Sequence, residues 1–215
     1  LNNALLTHPF AGTLQFRRRG ILFVISAPSG AGKSTLLNLL RPEADFVYSV
    51  SCTTRPPRPD EVPGRDYHFL SRDEFNARIA AGDFIEFAEV HGNYYGTLRA
   101  NVLQHLEEGV DVLIDIDTQG AANIRASGGP QIFESLVDVF IMPSSLDLLR
   151  RRLIKRGTEN EEQIATRLHN AESEMEAWVL YRYLIVTGSP EEDLRNFLAI
   201  LHAERQRARR LTLAT

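Results

Sequence analysis

An α/β fold with a mostly parallel central sheet follows from three features of the sequence. Short apolar runs alternate with longer stretches of helical period. The first run, "ILFVISA" (21–27), is apolar throughout, as a strand buried on both faces requires. It leads through a glycine-rich turn into Leu36, Leu37, Leu39 and Leu40 at helical spacing. Strand, glycine turn and helix in that order mark a carboxyl sheet edge, where ligands bind in open α/β folds.

The remaining elements follow in chain order. Residues 1–20 read as a loose leader, because the basic triplet Arg17–Arg19 follows the apolar part instead of preceding it. "VSCTTRPPRPDEVPGRD" (50–66) is proline-rich, basic and without period. "SRDEFNARIAAG" predicts a capped helix, with Ser71 and Glu74 as a capping box and Gly82 as terminator. "FIEFAEV" (84–90) predicts a strand and "HGNYYG" (91–96) a turn. "TLRANVLQHLEEG" predicts a helix closed by Gly109, and "VDVLIDID" (110–117) a strand ending in acids. "SLVDVFIMP" predicts another strand. Two helices broken at Gly157 follow, then the strand "RYLIV" and a last helix with Pro190 in its first turn and arginines at its end.

Composition excludes several classes of function. With 215 residues, 43% hydrophobic and 24% charged, the chain suits one soluble globular domain with insertions. A formal net charge of −4 gives no global attraction to nucleic acid or anionic membrane. No apolar run approaches the roughly 20 residues that span a bilayer. The single cysteine, Cys52, allows no internal disulfide, which favours a reducing, cytoplasmic setting.

The turn "APSGAGKST" carries the chemistry of a phosphate cradle. It fits G-x-x-x-x-G-K-[ST] except at Ala27, a strand exit that demands only a small side chain. Ala27, Pro28, Ser29, Gly30, Ala31, Gly32, Lys33, Ser34 and Thr35 are the expected triphosphate-binding residues. Backbone N–H groups would wrap the phosphates at a helix N-terminus. Lys33 would reach the β- and γ-phosphates, and the Ser34 hydroxyl would hold Mg²⁺. Asp115 and Asp117 of "IDID" are either polar strand ends or, beside such a loop, acids that hold a metal-bound water.

"TTRPPRP" (53–59) points to the acceptor. Arg55 and Arg58 both precede proline and are pushed toward extended backbone. In a polyproline II strip, residues three apart share a side, so two guanidiniums would form a fork for a phosphate dianion. The alternative is a solvated basic loop.

Taken together, "APSGAGKSTL", "SVSCTTRPPRPDEVPGRDYHFLSRDEF", "FIEFAEVHGNYYGT", "VLIDIDTQGA" and "LLRRRLIKRGTENEEQIATRL" resemble guanylate kinase, in order from about residue 21 to 187. The resemblance implies a P-loop NTPase fold with a nucleoside-monophosphate insertion and a lid. It implies phosphoryl transfer from ATP to GMP with Mg²⁺. The implied division is an extension (1–19), a core (20–50, 98–143, 171–215), a GMP-binding insertion (51–97) and a lid (144–170). Ser51, Arg55, Arg58, Tyr67 and Tyr95 would surround the GMP phosphate, and Glu86, Thr97 and Asp115 would help to read guanine. Arg152, Arg156 and Arg167 correspond to lid arginines, and Asp117 to an acid near metal and acceptor. The implied partners are ATP and GMP, with a homo-oligomer left open.

The carry-over makes chemical sense. Guanine presents two adjacent donors, N1–H and the 2-amino group, which one carboxylate such as Glu86 accepts together. A hydroxyl from Ser51 or Thr97 would donate to O6. Arg152 and Arg156 are four apart, on one helix face, whereas Arg150 and Arg151 point elsewhere. The sequence departs from the family at Thr187, where an asparagine near the donor base is usual. Two other readings are a non-catalytic interaction module of the same fold and a kinase for a phosphorylated sugar. The intact Lys33 and Ser34 oppose the first, and the guanine-reading set opposes the second.

Overall fold

The structure, a computed structural model, describes residues 15–43, 45–90, 92–156 and 161–213. Its strands are β1 (Phe16–Arg18), β2 (Leu22–Ser26), β3 (Phe46–Tyr48), β4 (Cys52–Thr53), β5 (His68–Phe69), β6 (Phe84–Val90), β7 (Asn93–Leu98), β8 (Asp111–Asp115), β9 (Leu136–Met142), β10 (Tyr183–Val186) and β11 (Leu211–Leu213). The α-helices are α1 (Lys33–Glu43), α2 (Arg72–Ala81), α3 (Arg99–Glu107), α4 (Thr118–Ser127), α5 (Pro130–Ser135), α6 (Leu146–Arg156), α7 (Glu161–Glu176) and α8 (Pro190–Arg205).

The central sheet runs β10-β9-β2-β8-β3, and every pairing in it is parallel. Along β2 the side chains alternate between two cores. Phe23 and Ile25 pack with Leu36, Leu40, Val139 and Phe197 on the side of α1 and α8. Leu22 and Val24 pack with Val102, Leu106, Val112, Ile114 and Ile124 on the side of α3 and α4. Burial on both faces is the reason this strand has no polar alternation.

Residues 52–98 build a separate four-stranded sheet of order β5-β4-β7-β6. Phe75 of α2 stacks on Phe84 and Tyr94 beneath it, with ring centroids 4.5 and 5.3 Å away. The predicted cap is present: Ser71 and Glu74 bond reciprocally, and Gly82 closes α2 at φ 73°. A third small core, Leu149, Leu153, Ile164 and Ala171, joins α6 to α7.

Three expectations need correction. "HGNYYG" is a turn only at its start, because Asn93–Gly96 pairs with β6 as a hairpin strand. Arg17 and Arg18 do not precede the fold but belong to β1, paired antiparallel with β11. The last helix stops at Arg205, before Arg207, Arg209 and Arg210. Arg210 then turns inward to bond buried Glu204 at 2.8 Å. Gly157 and residues 1–14 lie outside the described residues.

Asp111 ties these ends together. Its buried carboxylate accepts from Ile21 N (2.8 Å), Arg205 Nε (2.7 Å) and Arg18, linking the start of β8 to α8 and β1. Removing this carboxylate leaves Ile21 N without its acceptor, Arg18 without its counter-ion and Arg205 with only the exposed Asp45 among the described residues. Asp111→Ala should therefore lower unfolding stability by about 3–5 kcal/mol, read from denaturant titration. A loss too small to measure would show that water replaces the carboxylate at no cost.

Candidate active site

Parallel pairing places β2 beside β8, with Ile25 opposite Asp115. The loop after β2 and the acidic end of β8 therefore emerge side by side. Residues 27–32 curl above the N-terminus of α1, with Ala31 N donating to Pro28 O and Thr35 N to Gly32 O. Gly30 and Gly32 hold φ values of 85° and 112°, a region that side chains disfavour. A Cβ on Gly30 would also sit 3.0 Å from Leu149, because α6 packs directly on the loop.

This loop floors a cleft of about 570 Å³ lined by residues 27–36, Asp117, Arg152, Glu174, Gly188, Pro190 and Asp193. A second cavity of about 260 Å³ is lined by Ser51, Tyr67, Glu86, Ala88, Val90, Tyr95, Gly96, Asp115 and Ile116. Lys33 and Asp117 line both. Lys33 Nζ is ion-paired with Asp115 and donates to Ile116 O at 3.3 Å, so it stands where the two spaces meet.

The expected residues distribute unevenly. Ser51, Tyr67, Glu86, Tyr95, Asp115 and Asp117 share the second cavity. Thr97 stands behind it, fully buried, and its hydroxyl donates to Glu86 Oε1 at 2.8 Å. In this arrangement Thr97 orients the carboxylate instead of pointing a donor into the cavity. Asp117 lies beyond the end of β8 and caps α4, its Oδ1 accepting from Gly120 N at 2.7 Å. Arg55 sits 5.5 Å from the Tyr67 ring, while the Arg58 side chain is 74% exposed; Glu61 contacts both. Tyr94, next to Tyr95, packs into the core instead.

On the side of α6 and α7, Arg152 Nη1 donates to Ala31 O at 2.6 Å and Arg167 Nη1 to Ser29 Oγ at 3.2 Å. Arg150 and Arg151 are exposed. Arg156 ends α6, and its side chain lies outside what the structure describes. Thr187 is buried behind the loop, and the cleft wall there is Gly188, Pro190 and Asp193.

A model of the guanylate kinase family matches residues 19–204. The chain belongs to the guanylate kinase family. It is 44% identical to the guanylate kinase of Sphingopyxis alaskensis over 201 residues, 93% of this chain and 90% of that one. It is 48% identical to that of Maricaulis maris over 190 residues, 88% and 85% of the two chains. The crystal structure of guanylate kinase from Anaplasma phagocytophilum superposes with a TM-score of 0.74 at 36% identity, covering 92% of each chain.

Two carboxylates on this guanylate-kinase frame escape sequence reasoning. Glu174 lines the larger cleft and accepts from Ser29 N at 3.3 Å; burial raises its pKa. Its signal is the seven-residue spacing from Arg167, which puts both on one face of α7. Glu61 bonds Arg55 through both oxygens, at 2.7 and 2.9 Å. It follows a stretch whose prolines hide any period.

Glu86 is only 6% exposed, and burial, reinforced by Asp117, raises its pKa from 4.5 to about 7 against the bond from Thr97. Its folded pKa is thus above its unfolded one. The folded chain binds this proton more tightly, so the stabilisation is full below about pH 4.5 and is lost as pH rises toward 7. Between pH 5 and 7.5, wild type should lose roughly 2 kcal/mol relative to Glu86→Gln, measured by denaturant unfolding across that range. A difference independent of pH would show that Glu86 titrates as an exposed carboxylate does.

Proposed function

We infer that the chain transfers the γ-phosphoryl group of ATP to GMP, giving ADP and GDP. The observation that carries this reading is that the phosphate-loop cleft and the Glu86 cavity meet at Lys33 and Asp117. The larger cleft takes ATP, with its phosphates on the loop N–H groups. The smaller takes GMP, with guanine toward Glu86 and its phosphate toward Tyr67, Tyr95 and Arg55. Residues 52–98 form the GMP-binding part and α6–α7 the lid.

Glu86 needs its charge to accept both N1–H and the 2-amino group. Thr97 holds one oxygen in place, and Gly120 leaves room for the other, since a Cβ there would lie 3.0 Å from Glu86 Oε2. Adenine offers an acceptor at N1, which would face a carboxylate lone pair. Lys33 leaves Asp115 for the transferring phosphate, and Arg152 and Arg167 trade loop contacts for phosphate oxygens as the lid closes. Charge spreading onto those oxygens is then met by fixed donors in a space that excludes water. The acceptor phosphate is anionic already, so positioning and electrostatics suffice without a general base.

Family membership implies Mg²⁺ with ATP. Ser34, in the first turn of α1, and Asp117 are oxygen donors bordering the same cleft. Among the described residues no cluster of three or more His, Cys, Asp or Glu forms a metal cage. That sparse set fits Mg²⁺, which takes few protein ligands beside substrate phosphates and water. Ser34 would hold it, with Asp117 acting through water, and the ion would neutralise charge on the β- and γ-phosphates. A buried free thiol at Cys52 suits a cytoplasmic setting.

A coupled assay with ATP and a panel of monophosphates tests the reading. GMP should be the preferred acceptor by a wide margin; a preference for AMP or a sugar phosphate would overturn it. Glu86→Gln opposes a guanine donor with its own NH₂, which costs about 1–3 kcal/mol. The kcat/KM for GMP should then fall roughly ten- to a hundredfold. IMP, which lacks the 2-amino group, should lose less, so the GMP-to-IMP preference shrinks. An unchanged preference would remove Glu86 from base recognition.

A further inference from the structure

Beside the acceptor cavity, the loop between β4 and β5 contains one carboxylate with an unusual number of partners. Glu61 accepts from Arg55 Nη2 through both oxygens and from Arg58 N at 2.8 Å, and lies 4.0 Å from Arg58 Nη1. Its own N–H donates back to Arg58 O at 3.1 Å. Pro56, Pro57 and Pro59 carry no N–H, so Arg58 provides the single backbone donor between residues 56 and 59. Glu61 takes that donor. These bonds hold its carboxyl below the usual range, Arg55 contributing most. Arg55 Nε, by contrast, is buried and has no acceptor among the described residues.

We propose that Glu61 is a positioning residue of the acceptor site, one that pre-forms the Arg55–Arg58 fork for a phosphomonoester dianion. Two guanidiniums on one stiff strip repel each other. A carboxylate bonded to the Arg55 side chain and the Arg58 backbone, and 4.0 Å from Arg58 Nη1, offsets that repulsion and anchors Arg55 to the strip. Binding then does not have to order the long Arg55 side chain at the moment of encounter. The opposite role is also physically definite: as a bare counter-ion, Glu61 would compete with the phosphate, and its removal would tighten binding.

The proposal rests on the reading of the second cavity as the GMP site, and calorimetric titration with GMP, guanosine and ATP separates the two. If wild type binds GMP no more tightly than guanosine, that reading fails. If wild type prefers GMP, Glu61→Gln should raise the Kd for GMP roughly ten- to a hundredfold and leave guanosine and ATP unchanged. In an Arg55→Ala background the same change should matter less than about threefold, because the two residues act as one unit. A GMP affinity that is unchanged or tighter overturns the proposal. So does a parallel loss for guanosine, which would mark a general structural role. If Glu61→Gln does not fold, Glu61→Asp keeps the charge one methylene short. It should weaken GMP alone, and a wild-type GMP affinity would count against the fork.

Discussion

The register between β2 and β8 decides where everything else can stand. Ile25 pairs opposite Asp115, so the chain leaves β2 as a phosphate loop beside the acids that follow β8. A slip of one residue would turn every side chain of β2 to the other face and exchange its two cores. Both faces are apolar, so the fit of Phe23 and Ile25 against α1 and of Leu22 and Val24 against α3, more than burial as such, fixes the register. Lys33 then needs no further device to reach Asp115 and Ile116.

Onto this edge the fold brings charge from three directions. The 52–98 sheet delivers Glu86 to the second cavity, where burial raises its pKa to about 7. Helices α6 and α7 lay Arg152, Arg167 and Glu174 on loop residues 29–31. These are bonds to backbone and hydroxyl groups, which in the proposed function a triphosphate would displace. Burying Glu86 has a cost that the proposed base recognition would put to use. A carboxylate desolvated in advance would lose less hydration on binding guanine, and would penalise a base that presents a lone pair.

Much of this was legible in the sequence, and the failures have physical causes. The buried strand, the capped helix at 71–82 and the phosphate loop declare themselves because local chemistry dictates them: continuous apolar residues, a capping box, glycines at positive φ. Ser51, Tyr67, Glu86, Tyr95 and Asp115 meet in one cavity, although only the resemblance, and no spacing, could join residues so far apart. Helices α4 and α5 have too few large apolar residues to show a stripe. The strand at Asn93–Leu98 hides behind a turn-like "HGN". Arg17–Arg19 look like a leader because their partners, Asp111 in mid-chain and β11 at 211–213, lie far away in sequence. Ser51 or Thr97 was expected to donate to the base; the cross-strand pairing of β6 with β7 brings the Thr97 hydroxyl onto Glu86, while Ser51 lines the cavity.

The central claim is that two nucleotide spaces meet at Lys33 and Asp117, and a bisubstrate ligand tests it most directly. Adenosine and guanosine joined through their 5′ positions by a polyphosphate chain should compete with ATP and with GMP alike. It should bind far more tightly than either nucleotide alone, because one chain spans both sites. Competition with only one of the two substrates, or no gain in affinity over the better single nucleotide, would contradict the account.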